Sequence, residues 1–286
     1  MDFKNVKLSD LTKEQLIDVI KFQRRTINSQ ENFLINISHD LRSPVNSILS
    51  VLQCLKYLNT DNSKEVKEKT NEYRKIIKRN SLKIIKLIDN LIDTTKLEGD
   101  NYHLNKTNLD IVNVVESIVD SIEVYANEKK INIIFDTNVE EFMINADLEA
   151  VDRIVMNLLS NAIKFSPVDE VIEVTVNAEE NNVKISVKDN GIGIAEEEQK
   201  KIFNRFEQAT NSKRVEGKGS GIGLDLVSYL VKSHGGKIQL NSKLNEGSEF
   251  IVTLPVGKLS EDKENHELMS RNKVEQLEIE FSDIYL

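Results

Sequence analysis

The 286 residues carry 38 Lys or Arg against 47 Asp or Glu, a net charge of −9, which argues against a general nucleic-acid binder. Hydrophobic residues at 39% and charged residues at 30% are ordinary for a soluble chain, and the length allows two modest domains, each with its own core. Cys54 is the only cysteine, which excludes a disulfide framework and a cysteine zinc site and suits a reducing compartment.

No apolar run approaches the ~20 residues of a membrane helix, and no signal peptide opens the sequence. The expectation is a soluble, cytoplasmic chain without membrane contact of its own. A longer, membrane-anchored parent stays open.

Thr12-Lys-Glu-Gln15 fits a capping box ahead of Leu16, Val19 and Ile20, so a helix is expected to start there. Ile20, Ile27, Leu34, Leu41, Ile48 and Leu55 recur every seven residues, with a weaker row at Ile37, Val51 and Leu58. That heptad seam predicts a helix paired along one side. Residues 1–28 read equally well as a frayed leader or as a signalling helix. With the first row at position a, His39 falls opposite the seam, solvated and presented. A lone surface histidine ordinarily does nothing, but Asp40 follows it and Pro44 lies five residues on. Proline inside a helix removes a backbone bond at a cost of roughly 3 kcal/mol, and such departures concentrate at functional sites. An imidazole with a pKa near ~6.5 is largely neutral at cytoplasmic pH, so one ring nitrogen can attack while the other is held.

Residues 59–66 are polar and turn-rich and are expected to close a helical hairpin whose second arm spans about 67–97. Ile77, Ile84 and Leu91 form one row of that arm, with Ile85, Ile88 and Ile92 beside it. Two such wide apolar stripes exceed what one hairpin can bury, which predicts a homodimer with a four-helix bundle. Glu98-Gly-Asp-Asn101 breaks the pattern, so 29–98 reads as the hairpin and 99–102 as a linker.

From 103 to 256 strands and helices interleave. Helices are expected at about 109–129, 147–165 and 221–234. Strands are expected at 131–135, 142–144, 171–176, 183–187, 237–241 and 249–254. This predicts an α/β sandwich, a mixed sheet with helices on one face. The tail, 257–286, holds eight acidic residues against four basic ones. Its first half has the composition of a disordered segment. Its end is ambiguous: Leu277, Ile279 and Phe281 alternate as in a strand, whereas Val274, Leu277, Phe281 and Ile284 keep helical spacing.

Asn157, Asn161 and Lys164 share one face of the 147–165 helix. An Asn carbonyl suits hard Mg²⁺, which makes Asn161 the candidate metal ligand, and Lys164 can neutralise a phosphate. Asp189-Asn-Gly191-Ile-Gly193-Ile194 follows directly on a strand, where glycine lets backbone approach a ligand closely. Alone, that pattern is most often a turn. Ile202-Phe203-Asn-Arg-Phe206 has a good reading as packing residues. Gly217-Lys218-Gly219-Ser220-Gly221-Ile-Gly223-Leu224 opens a helix, where free N–H groups and the dipole suit an anion. It is neither a Walker loop nor a Rossmann fingerprint.

Together these segments resemble the bacterial sensor histidine kinases, over residues 29–256. Ser38-His39-Asp40-Leu41-Arg42-Ser43-Pro44 looks like their H-box, and the Asn157 helix like the N-box. The turn at Asp189 looks like the G1 box, Ile202–Gln208 the F-box and Gly217–Leu224 the G2 box. The resemblance implies a dimerisation and phosphoacceptor hairpin followed by a GHKL-type, Bergerat-like ATP-binding domain. It implies ATP and Mg²⁺, His39 as phosphoacceptor with Asp40 beside it, Asp189 as receiver of the adenine amino group, and 195–218 as a lid. Gln208 stands where some members have Arg after the F-box aromatics, so the γ-phosphate contact falls to Lys213, Arg214 or Lys218. The expected partners are a second copy and the Asp of a separate response-regulator receiver domain. Ser43 replaces the commoner Thr or Asn one turn after the histidine, which predicts intact kinase and weak phosphatase activity.

Two rivals remain. A GHKL-type ATPase would release phosphate without a phosphoprotein, although such enzymes usually carry a Glu where this chain has Asn157. A non-catalytic dimeric scaffold would only bind.

Overall fold

The computed structural model describes residues 12–57, 64–98, 103–204, 207–210, 221–259 and 273–283. The chain divides into two units, 1–73 and 74–286. Helix α1 spans Lys13–Tyr57 and helix α2 spans Lys64–Glu98, so α2 begins in the first unit and continues into the second. Of the turn expected over 59–66, residues 59–63 lie outside the described residues, as does the linker 99–102, whereas 64–66 already belong to α2, which starts earlier than expected.

The start of α1 is the reciprocal cap read from sequence. Gln15 N–H donates to Thr12 Oγ1 at 3.3 Å, and Thr12 N–H donates to Gln15 Oε1 at 2.9 Å. The helix runs unbroken through Pro44. The two apolar rows of α1 differ in burial. Ile37, Pro44 and Val51, seven residues apart, are buried within the single chain. In the row expected to form the main seam, Ile20 and Ile27 are exposed, and Leu41, Ile48 and Leu55 are half-buried. The Leu34 side chain lies outside the described set.

The second unit holds the sheet. Strands β1 (Thr107–Asp110) and β3 (Met143–Ala146) form a two-stranded antiparallel ribbon. Strands β2 (Asn132–Thr137), β4 (Val171–Ala178), β5 (Asn182–Asp189), β6 (Lys237–Lys243) and β7 (Gly247–Pro255) form a five-stranded sheet in the order β2-β4-β5-β7-β6. Only β2 and β4 run parallel, so the sheet is mixed. Strand β4 alternates: Ile172, Val174 and Val176 are fully buried while Glu173 and Asn177 face water. The buried face is covered by α3 (Ile111–Glu128), α4 (Leu148–Phe165) and α6 (Gly223–Ser233), which share one continuous core with it. A short helix, α5, covers Glu196–Gln199.

Two elements were not legible. Strand β1 is only Thr-Asn-Leu-Asp, with Leu109 its one buried residue, and offers no alternation long enough to read. At the C-terminus the helical spacing wins: α7 spans Lys273–Glu280 and ends in a 3-10 turn, Phe281–Asp283. Of the first half of the tail, expected to be disordered, all but 257–259 lies outside the described residues.

Candidate functional site

Helix α1 presents His39 with its side chain 71% exposed. Its Nδ1 lies 3.4 Å from Asp40 Oδ1, an ion-pair separation longer than a good hydrogen bond. Successive turns of the same helix place Arg42, Ser43, Asn46, Ser47 and Ser50 around an open groove with His39. Ser47 and Ser50 donate back to the carbonyls of Ser43 and Asn46 at 3.1 and 2.9 Å. Serine back-bonding of this kind loosens a helix, and Pro44 removes a further backbone donor in the same turn.

The second unit assembles the other motifs. On α4, Arg153, Asn157, Asn161 and Lys164 form a half-open stripe along an otherwise buried helix. Asn157 Nδ2 donates to the Arg153 carbonyl at 3.0 Å, and Lys164 Nζ lies 5.4 Å over the Phe165 ring. Helix α6 brings Gly223 against this stripe so closely that a Cβ there would collide with Asn157 Oδ1. Gly221 precedes it at φ 70°, and Leu224 joins the edge of the core.

Asp189 ends β5 and is 7% exposed. Its Oδ1 accepts from the Gly191 N–H at 2.8 Å. Burial pushes its carboxyl up to about 6, against the lowering effect of backbone hydrogen bonds from Gly191 and Ser248. Gly193 sits at φ 60° with its α-carbon pressed on the Lys243 carbonyl, where no side chain fits. Ile194 N–H donates to Ser242 Oγ at 2.8 Å. Phe206, Lys218, Gly219 and Ser220, and with them Lys213, Arg214 and lid residues 205–206 and 211–218, lie outside the described residues.

Three supporting groups were missed by sequence reasoning. Lys129, just after α3, gives its ammonium to the carbonyls of Ile163, Lys164 and Ser166 at 2.7, 2.9 and 2.7 Å, closing the end of α4; burial holds its pKa down. Ser242 accepts from Ile194 and donates to the Gly247 carbonyl at 2.8 Å, tying the turn after β5 to the β6–β7 hairpin. His234 Nε2 accepts the Asp147 N–H at 3.1 Å while Nδ1 meets the Leu230 carbonyl at 2.8 Å, and burial lowers its pKa. It joins the end of α6 to the cap of α4. Only the last had a signal, a histidine at the very end of an expected helix.

Two family models match the chain. The phosphoacceptor domain of His kinase A matches residues 29–100, and the histidine kinase-, DNA gyrase B- and HSP90-like ATPase model matches 146–258. The chain belongs to the sensor histidine kinases. Sensor histidine kinase WalK of Bacillus subtilis is 28% identical over 84% of this chain and 39% of its own length. Histidine protein kinase DivJ of Caulobacter vibrioides is 27% identical over 87% of this chain and 42% of its own. The chain thus spans about two-fifths of these relatives. Its fold resembles that of histidine kinase ThkA, solved in complex with response regulator TrrA, at TM-score 0.55 and 20% identity over 86% of this chain and 68% of that one. The ATPase match makes the second domain of this histidine kinase an ATP-binding one. The strands and helix between 103 and 145 fall outside both matches, yet complete its sheet and core.

Among the described residues no group of three His, Cys, Asp or Glu side chains can hold a metal, and no helix is long and apolar enough to cross a membrane. A cation here would lean on the Asn side-chain oxygens of α4 and on substrate phosphates. That donor set fits Mg²⁺, which keeps most of its waters.

Proposed function

We propose that this chain is the core of a two-component kinase that phosphorylates its own His39 from ATP and passes the phosphoryl group to an Asp of a response-regulator receiver domain. The observation that carries the reading is the pairing, in one chain, of an outward histidine beside Asp40 with a nucleotide site built from Asp189, Asn157 and Gly223. ThkA, of the same fold, is seen with such a regulator. The units of the reading are the hairpin 29–98, the linker 99–102 and the ATP-binding domain 103–256.

Asp189 accepts from the adenine amino group, and its burial makes that bond selective. Gly191 and Gly193 let backbone close on the ring, Gly221 and Gly223 are assigned to the phosphates, and the family resemblance assigns Gly219 and Ser220 to them as well. Lys164 and Lys218 neutralise phosphate charge. Asn161, with Asn157, would hold Mg²⁺, which when bound neutralises the charge building on the phosphates. The Nδ1 side of His39 faces Asp40, leaving the Nε2 lone pair to attack. The Nε2–P bond forms as the bond from γ-phosphorus to the β–γ bridging oxygen breaks. ADP leaves, and Asp40 takes up or shares the Nδ1 proton. Asn157 stands where a water-activating Glu would be, so the site favours transfer over hydrolysis.

The half-open Leu41, Ile48 and Leu55 on α1, with exposed Ile85, Ile88 and Ile92 on α2, support a homodimer in which a second copy covers them. Incubation with γ-labelled ATP and Mg²⁺ should give an acid-labile, alkali-stable phosphoprotein. His39→Gln should abolish the label, a loss of at least ~1000-fold, with ATP affinity kept. Undiminished labelling of the variant removes His39, and steady phosphate release without label favours a plain ATPase.

A further inference from the structure

The C-terminal segment has no part in the reading above, yet the structure binds it at two places. Phe281 is fully buried, and its ring stacks on Tyr125 of α3 with centroids 4.9 Å apart and planes at 20°. Leu277, one helical turn earlier, is 5% exposed and belongs to the same core as α3, α4 and the sheet. The segment is therefore an extra piece of the ATP-binding domain, reached from β7 through 256–272.

Its other side reaches α2. Lys78 Nζ meets Glu278 Oε1 at 2.6 Å. Lys86 Nζ donates to the Glu280 carbonyl at 2.5 Å and lies 3.4 Å from its carboxylate, with both side chains largely shielded at 16% and 22% exposure. The two lysines are eight residues apart, roughly 12 Å along the helix. The charges complement one another: the tail from 257 holds eight acidic residues against four basic ones, whereas α2 holds ten basic against six acidic. A movement of the ATP-binding domain relative to α2 must break both lysine contacts or pull Leu277 and Phe281 from the core.

We propose that the C-terminal helix is an in-chain clamp that fastens the ATP-binding domain to α2 through Lys78–Glu278 and Lys86–Glu280, and that its release speeds phosphoryl transfer to His39. The clamp rests on the kinase reading, because it acts by restraining the movement that brings bound ATP to the histidine. Its apolar half is permanent and its ionic half is the releasable one. Shielded but partly hydrated ion pairs yield to salt and to competing charge, whereas a buried aromatic stack does not. The agent of release fits the same lysines: an acidic surface or an added phosphate that competes for α2.

The test uses charge reversal at an exposed pair remote from the nucleotide motifs. Lys78→Glu and Glu278→Lys should each raise the initial rate of His39 labelling about 3–10-fold, with ATP affinity unchanged. The double exchange, Lys78→Glu with Glu278→Lys, should return the rate to within twofold of the original. Rates at or below the original in both single variants, or a double exchange that stays fast, overturn the clamp. A second measurement does not depend on kinase activity. A Lys–Glu pair that meets only at its side-chain tips holds the α-carbons beyond disulfide reach. In a Cys54→Ser background, Lys78→Cys with Glu278→Cys should therefore be bridged by a reducible bis-methanethiosulfonate reagent as long as the two lost side chains, and reduction should free it. No cross-link means the contact is absent and the clamp is wrong. A cross-link in a protein that never labels His39, with or without reduction, counts against the kinase reading and removes the clamp's role with it.

Discussion

The hairpin helices and the ATP-binding domain meet the same problem, burying apolar surface, in opposite ways. The domain closes on itself: Ile172, Val174, Val176, Ile185 and Leu159 are fully buried between the sheet and its helices. Helices α1 and α2 leave Ile20, Ile27, Leu49, Ile85, Ile88 and Ile92 exposed and a heptad row half-open in a single chain. A sheet with helices on one face is a complete core. Two helices with wide stripes are half of one, which is why the proposed second copy covers the first region and not the second.

That contrast can be broken first at its most stable point. Leu159→Ala should lower the unfolding free energy of the ATP-binding domain by about 2–5 kcal/mol, at any protein concentration. Ile48→Asp should instead halve the mass in sedimentation equilibrium while ATP binding persists. A dimeric Ile48→Asp variant, or a Leu159→Ala effect that fades as the protein is concentrated, would erase the distinction.

The next effect lies inside the ATP-binding domain, where Asp189 sets binding against stability. Its folded-state carboxyl sits at about 6, above the ordinary 3.8. The folded state thus favours the protonated form. That stabilisation is complete below about pH 4 and is lost as pH rises through 6. At pH 7 the buried charge costs on the order of 3 kcal/mol. Asp189→Asn, which keeps an oxygen for the Gly191 N–H, should therefore raise the melting temperature of the nucleotide-free protein at pH 7. The difference should vanish near pH 4. The same variant should bind ATP at least tenfold more weakly. ATP affinity of the unaltered protein should fall between pH 7 and pH 5, as a proton takes the place of the adenine amino group. Equal melting temperatures at pH 7, or a flat pH profile, would show that the carboxylate is not strained by its site.

The smallest expected effect returns to the hairpin. Ser43 lies one turn after His39 and lines the same groove. Its hydroxyl lacks the β-methyl that restricts threonine, so it should hold an attacking water less firmly. Ser43→Thr should speed dephosphorylation of a phospho-receiver by no more than about tenfold, or ~1.4 kcal/mol, and Ser43→Ala should slow it. Identical rates in all three proteins would remove Ser43 from that reaction.

The motifs were legible because each rests on a residue type that chemistry demands locally. An exposed His-Asp pair opposite a heptad seam, amides at i and i+4, and glycines after a strand are all short-range patterns. The pressing of Gly223 on Asn157 joins two such patterns that lie far apart in the chain. The supports were illegible for the converse reason. Lys129 looks like any surface lysine until α4 ends beside it, and Ser242 like any strand serine until Ile194 arrives from another turn.

The C-terminal tail shows the division most clearly. By itself the sequence determined its charge, and it allowed either of two periodicities around Leu277 and Phe281. Local spacing could not choose between them, because each satisfies an apolar face of its own. The tertiary structure decided for the helix: Tyr125 on α3 supplies the surface that Phe281 fills, and Lys78 stands 200 residues from Glu278. Periodicity in a chain reports which residues seek burial. Which surface receives them depends on long-range juxtapositions that no local pattern contains, and only the assembled domain has made those.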